Sequence, residues 1–272
     1  MTSTAAVSAL NPHIALERRL ITIASGKGGV GKTWLAITLA HALARQGRKV
    51  LLFDGDLGLA NVDIQLGLMP NRDLGDVIAG RCGLTEAVTR YDDEAPRPAG
   101  FDVVAGKSGS GALGSLARER LGALRHHLIE AAIAYDHVIL DLAAGIDSAV
   151  TTLAHHGGAT LVVLTAEPTS LTDAYAFIKL RRMRDAAADI RIIVNQAADK
   201  SEGEATYETI RKACASFLKF TPALGGIIYR DGKVSDAIRH QSSILSRHPQ
   251  ASAAGQVEAL AKSLVAEAKR QT

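Results

Sequence analysis

Ser25 to Thr33 reads SGKGGVGKT, a run of glycines carrying two lysines and closed by a threonine. Gly26, Gly28, Gly29 and Gly31 let successive backbone N–H groups around Val30 turn toward one anion without Cβ interference. The apolar run Leu20 to Ala24 before the loop predicts a strand, and the helical spacing of Leu35, Leu39, Ala42 and Leu43 predicts a helix that begins at Lys32 and closes at Gly47. A strand, a glycine loop and a helix N-terminus together cradle phosphate, because the helix dipole adds positive potential where the anion sits. Lys32 is then placed to reach the β and γ phosphates of a nucleotide, and Thr33 to ligate Mg2+. Trp34, bulky for its position, is expected to pack beneath the loop. A second glycine-rich stretch, KSGSGALG from Lys107 to Gly114, lacks a closing Lys-Ser/Thr pair and reads as a flexible turn.

Carboxylates recur where further apolar runs end. LLFDGDLGLANVD sets Asp54 and Asp56 two residues apart at the carboxyl edge of the run Val50 to Phe53, pointing the same way if the strand pleat continues. A carboxylate at that edge can orient water in line with a leaving phosphate oxygen, which phosphoryl transfer needs more than strong base chemistry. VILDLAAG ends a third run with Asp141, followed by Gly145, where a backbone N–H can approach a γ phosphate and the loop can move when that phosphate leaves. RIIVNQ ends in Asn195, whose amide suits the paired donor and acceptor of adenine. Pro222 and the Tyr229 to Asp231 stretch are expected to flank the purine.

The elements that must position these residues are short apolar runs at Leu20–Ala24, Val50–Phe53, Phe101–Val104, His137–Leu142, Thr160–Thr165, Ile190–Val194 and Leu224–Ile228, alternating with helical stretches. Their apolarity is continuous, so the strands are covered on both faces. The fold class is α/β: a doubly wound, mostly parallel sheet with helices on both faces and the ligand at the carboxyl ends of the strands. The 272 residues suffice for one domain over residues 19–272, with residues 1–18 an N-terminal extension, and no internal repeat is visible. Tyr91 to Gly100, with Pro96 and Pro98, reads as a loop.

A formal charge of +3 neither demands nor excludes an acidic partner. Cys82 and Cys214 are far apart and form no metal-ligand or disulfide pattern, which points to a reducing compartment. The pairs His126–His127 and His155–His156 would point about 100° apart on a helix, wrong for joint metal ligation, and read as surface residues. No apolar run reaches the length of a membrane span, so a cytoplasmic protein is expected.

Lys27, just after the first glycine, is not needed by an ordinary phosphate loop. With it, the loop resembles the deviant Walker A motif of the MinD/ParA class of ATPases, and the resemblance runs from about Leu20 to the helix after Gln250. It implies ATP and Mg2+ as ligands, and an ATP-dependent homodimer in which Lys27 crosses to the partner's nucleotide, a cation supplied in trans that ties hydrolysis to dimerisation. It further implies that Asp56 orients the water, that Asp141 is the Walker B aspartate held near Mg2+ through water, that Asp54 supports the site indirectly, and that Asn195 reads the base. Leu142 and Ala143 are wholly apolar where the class carries small or hydroxyl residues.

GDLGLANVDIQLGL after the second run and TAEPTSLTDAYAFIK around Glu167 to Lys179 resemble the FlhG (FleN) branch of this class, regulators of flagellar number and placement. Within the latter, Pro168 suits a helix start, Leu171, Ala174 and Ile178 form its buried stripe, and Asp173 is a candidate for dimer or partner contact. The branch implies a GTPase of the FlhF type or a flagellar basal-body protein as partner, although residues 1–19 carry no match to the glutamine-containing activator motif of many members. Val257, Leu260, Ala261, Leu264, Val265 and Ala268 form a stripe on the last helix, read as covering the core, with weak peripheral membrane contact as the other reading. Two alternatives stand beside this one: a ParA-like partition ATPase binding DNA nonspecifically, and an ATP-dependent amide ligase of the cobyrinic acid synthase type. The flagellar reading expects no DNA.

Overall fold

The structure is a computed structural model that describes residues 12–92, 99–106 and 116–271. Its centre is an eight-stranded sheet in the order β3-β4-β2-β5-β1-β6-β7-β8. The strands are β1 (Leu20–Ser25), β2 (Val50–Gly55), β3 (Val88–Tyr91), β4 (Phe101–Val104), β5 (His137–Ala144), β6 (Ala159–Leu164), β7 (Ile190–Ala197) and β8 (Ala223–Tyr229). All neighbours run parallel except β3, which pairs antiparallel with β4.

Two apolar layers explain why the strand runs are continuous rather than alternating. In β1, Ile21 and Ile23 enter one core, while Leu20 and Ala24 enter the other. In β2, Val50 and Leu52 face the first, Leu51 and Phe53 the second. The first layer is built by α2 (Lys32–Ala44) and, at the end of the chain, α11 (Ser252–Gln271). Helix α2 is buried from Trp34 to Ala44, as its all-round apolarity requires, because α11, itself packed on β8, and the short helices at Val62–Leu66 and Ile244–Arg247 pack against it beside the sheet.

Between β2 and β3 lie α3 (Val62–Leu66), α4 (Leu74–Ile78) and a 3-10 turn at Leu84–Ala87. The second layer comes from α5 (Arg118–Ala131), α6 (Ser148–Leu153), α7 (Pro168–Arg184) and α8 (Lys200–Leu218). Ala174, Phe177 and Ile178 are the buried face of α7, with Leu171 half-buried beside them. Two short helices, α9 (Gly232–Arg239) and α10 (Ile244–Arg247), lead into α11.

Four details differ from the sequence reading. Strand β3 falls where no run is apparent, since VTRY mixes polar and apolar residues and an antiparallel edge strand need bury only part of its surface. Tyr91, read as loop, ends that strand with its ring 5.0 Å from Phe101. Residues 12–17, inside the stretch read as an extension, form a helix, α1 (Pro12–Glu17), and the Glu17 carboxylate accepts from Gly157 N at 2.9 Å.

His156 is not a surface residue. It is 4% exposed, its Nδ1 accepts from Gly158 N at 3.0 Å, and its Nε2 therefore carries the proton and donates to Thr22 Oγ1 at 2.7 Å. His126, His127 and His155 are exposed as expected. Pro96 and the Lys107–Gly114 stretch lie outside the described residues.

Candidate functional site

Loop 26–31 joins the central strand β1 to α2 at the carboxyl edge of the sheet, and β2 and β5 bring their ends alongside. Asp54 and Asp141 are direct register partners on β2 and β5. No side chain caps α2, whose N-cap Gly31 sits at φ 90°, so its first-turn N–H groups face the loop without a side-chain acceptor. A Cβ on Gly31 would lie 2.5 Å from Asn195 Nδ2. Gly26 is held by its neighbour too: a Cβ there would meet the Asp173 backbone of α7 at 2.2 Å. Gly28 and Gly29 have open space around them, and Val30 is buried.

Lys32 donates from Nζ to Ser25 Oγ at 2.9 Å, and Ser25 in turn donates to the Lys27 carbonyl at 2.6 Å. Ser25 thereby ties the phosphate lysine to the signature lysine, a link that reading the motif as a glycine loop did not reveal. Burial lowers the pKa of Lys32, while the charges of Asp141 and Asp56 oppose that shift. Thr33 lies against the Asp141 carboxylate. Trp34 is buried as expected, with its Nε1 lacking a hydrogen-bond partner among the described residues.

Both strand-end aspartates are held under electrostatic stress. Desolvation pushes Asp54 up to about 6, against the pull of backbone N–H groups at Asp56, Asn61 and Val62. Burial, followed by repulsion from Asp54, pushes Asp141 up to about 8. Asp141 Oδ1 is buried and has no hydrogen-bond partner among the described residues. Buried acidic oxygens beside Thr33, short of positive charge, fit a divalent cation held against a phosphate.

Asp54 and Asp56 do not share a face as the pleat suggested. Strand β2 ends at Gly55, and Asp56 enters a turn where its Oδ1 accepts from Gly58 N at 3.2 Å and Leu59 N at 2.9 Å. Asp54 Oδ2 accepts from Asn61 N at 3.0 Å and Val62 N at 3.1 Å, so the buried aspartate pins both ends of the loop that carries Asp56. Gly145 has φ 106°, which favours glycine, and its N–H donates to the Ser25 carbonyl at 2.9 Å.

The base end needs one correction. Asn195 is buried behind the loop, donating from Nδ2 to the Val30 carbonyl at 2.7 Å and accepting from Gln196 N at 2.9 Å. Pro222 precedes β8 and sits level with the start of β7, so about 20 Å of strand separate it from the loop edge and it cannot flank the purine. The Tyr229 to Asp231 stretch, by contrast, leaves β8 at the same edge as the loop.

A family model described as the CobQ/CobB/MinD/ParA nucleotide binding domain matches residues 21–244, which include the loop, both strand-end aspartates and Asn195. The chain belongs to this family. Antiactivator FleN of Pseudomonas aeruginosa is 35% identical over 244 residues, 90% of this chain and 85% of FleN. Flagellum site-determining protein YlxH of Helicobacter pylori is 32% identical over 198 residues, 71% of this chain and 63% of YlxH. The septum site-determining protein MinD of Pyrococcus horikoshii, solved with Mg-ADP, superposes with a TM-score of 0.73 at 25% identity, covering 90% of this chain and 95% of that one. The loop, the Lys-Thr pair and these relatives together make the chain a MinD/ParA-type ATPase with ATP and Mg2+ as ligands.

Proposed function

We propose that this ATPase is a nucleotide-driven monomer–dimer switch that regulates flagellar number and placement. The observation that carries the reading is Lys27, an extra cation on a phosphate loop that already has Lys32, in a chain whose relatives include FleN and YlxH. Within the protomer the groups that would meet a γ phosphate have internal partners: Gly145 N–H on the Ser25 carbonyl, Asp56 on its own turn, and Lys27 on α7. A γ phosphate competes for these groups, so its presence or loss changes the surface around the site.

Gly26, Gly28, Gly29, Val30, Gly31, Lys32, Thr33 and Trp34 would enclose the phosphates, and Thr33, Asp56 and Asp141 would hold the Mg2+ shell. The metal, when bound, supplies positive charge to the β and γ oxygens. Asp56 orients the attacking water, and Lys27 stabilises developing charge in the partner's site. Asn195 fixes the back of the loop and presents its remaining amide valences to the base.

Partners of the ATP state would be a GTPase of the FlhF type or a basal-body protein, approached from the cytoplasm. The last helix is not available for membrane contact through its apolar stripe, because Val257, Leu260, Ala261, Leu264 and Val265 are buried against the core and only Ala268 of that stripe is exposed. No helix among the described residues is long and apolar enough to cross a membrane.

The deciding experiment is solution mass by light scattering on Asp56→Ala protein, first with Mg-ADP and then with Mg-ATP. A mass that doubles only with ATP, and fails to double when Lys27 is also changed to alanine, is the expected result. A mass independent of nucleotide ends the switch reading.

A further inference from the structure

Gln241, in the turn that follows α9, holds its backbone at φ 51°, a left-handed conformation that glutamine rarely adopts. The turn has a fixed footing. Two residues on, Ser243 is buried, its Oγ lies 2.8 Å from His41 Nδ1 on α2, and its N–H donates to the Tyr91 hydroxyl at 3.3 Å. From that footing the Gln241 side chain reaches α3. Its Nε2 donates to the Ile64 carbonyl at 3.2 Å, and a Cβ on Gly67, the left-handed C-cap of α3, would lie 3.2 Å from the Gln241 Cβ. Helix α3 has only five residues, so its position depends on what holds its ends. Asp54 holds the first end through Asn61 N and Val62 N, and Gln241 holds the second. The loop that carries Asp56 runs into the first of these ends.

We infer that Gln241 is a positioning residue for ATP hydrolysis, a peg that ties the helix behind the Asp56 loop to α2, the helix that starts at the phosphate loop. The inference rests on the water-orienting role given to Asp56 above. A residue held at positive φ against its preference persists only where its surroundings fix it, and here they fix it against α3. An attacking water must stay in line with the leaving oxygen, and a loop whose supporting helix is tethered at one end spends less of its time in that geometry. Gln241 acts at the end of α3 away from the loop, so its loss lowers turnover and leaves ATP affinity alone. The bond lies at the surface between neutral groups, which sets the scale of the loss at about two- to tenfold.

The test compares Gln241→Gly with its parent in steady-state hydrolysis of Mg-ATP, at protein concentrations that saturate turnover per subunit. Amide hydrogen exchange is read in the same proteins at Gly58 and Leu59, which donate to Asp56, and at Asn61 and Val62, which donate to Asp54. Glycine removes the side chain and accepts positive φ without strain, so the variant is expected to melt close to its parent. Its kcat is expected to fall about two- to tenfold with KM within about twofold, and the four amides to exchange faster. Gln241→Lys, which keeps a donor, is expected to recover most of the turnover, and Gln241→Glu, which sets a carboxylate against the Ile64 carbonyl, to recover none. Unchanged turnover in Gln241→Gly overturns the peg, and so does a fall in turnover with unchanged exchange at the four amides. Combining Asp56→Ala with Gln241→Gly separates the two ideas. The double variant should be no slower than Asp56→Ala alone, and a further loss equal to that of the single variant overturns the peg. If Asp56→Ala is slow while Gln241→Gly turns over normally, the peg is wrong and the role of Asp56 stands. If Asp56→Ala turns over like its parent, that role fails and the peg fails with it.

Discussion

The two ends of the parallel sheet both bury polar groups, and they differ in what is left unpartnered among the described residues: Thr160 Oγ1, His137 Nδ1 and one nitrogen of the otherwise bonded Arg181 where the strands begin, an acidic oxygen where they finish. At the end where the strands begin, His156 has both ring nitrogens partnered, and the buried Arg181 reaches the His156 carbonyl at 2.9 Å and Asp185 at 3.3 Å. Burial, reinforced by Arg181 and Arg125, drives the His156 pKa down to about 3, so the ring stays neutral. Where the strands finish, Asp54 and Asp141 face each other across β2 and β5 with Lys32 nearby, and an acidic oxygen is left without a partner. A buried polar group whose valences are filled serves the fold, whereas one short of counter-charge is waiting for a ligand.

If the ends differ in this way, substitutions at each should move different observables. Asp56→Ala should lower the turnover number by about 100- to 1000-fold, roughly 3–4 kcal/mol of activation, in a steady-state ATPase assay. Urea unfolding should show no matching loss of stability. His156→Ala should do the reverse, costing about 3 kcal/mol in urea unfolding through a cavity and an orphaned Thr22 hydroxyl, while the ATP dissociation constant stays within about twofold. A large ATP-binding defect in His156→Ala would erase the distinction between the ends.

A smaller effect separates them by sign. The raised pKa values of Asp54 and Asp141 mean that the nucleotide-free protein gains from keeping these groups protonated, a contribution lost as pH rises through about 6 and about 8. His156 has a depressed pKa, so its contribution is present above its unfolded value and is lost as pH falls toward about 3. Thermal melts of free protein should therefore show stability falling by about 2 kcal/mol from pH 6 to pH 8, and Asp141→Asn should flatten most of that slope. The same variant should lose stabilisation by Mg-ATP, since the substitution removes the charge that a cation needs.

The contrast also explains what the sequence made visible. The phosphate cradle is a local device, with strand, loop, Lys32 and Thr33 contiguous, so its spacing alone exposed it. Six of the seven apolar runs were equally plain, because strands covered on both faces have no polar alternation to confuse them, whereas the seventh, Leu224–Ile228, lies in the edge strand β8 with Leu224 exposed, so the expectation of cover on both faces fails there. Strand β3 was hidden since VTRY lacks that continuity. His156 looked like half of a surface pair because its partner Thr22 lies 134 residues away. Pro222 looked like part of the base pocket because a linear sequence does not say at which end of β8 a residue enters. Glu167 stands in the sequence only as part of the TAEPTSLTDAYAFIK stretch, and its contact with Lys27, 140 residues distant, is a product of the fold.

The fit of Gly26 against α7 changes what tolerance to mutation means at that position. The phosphate cradle would survive a methyl group at residue 26 as far as its own backbone is concerned, but the helix behind it would not, with only 2.2 Å to the Asp173 backbone. Displacing α7 carries Glu167 and Thr169 along with it. Drift at residue 26 is therefore restrained by the seating of α7 as well as by nucleotide chemistry, and an alanine there should displace that helix even where phosphate binding persists.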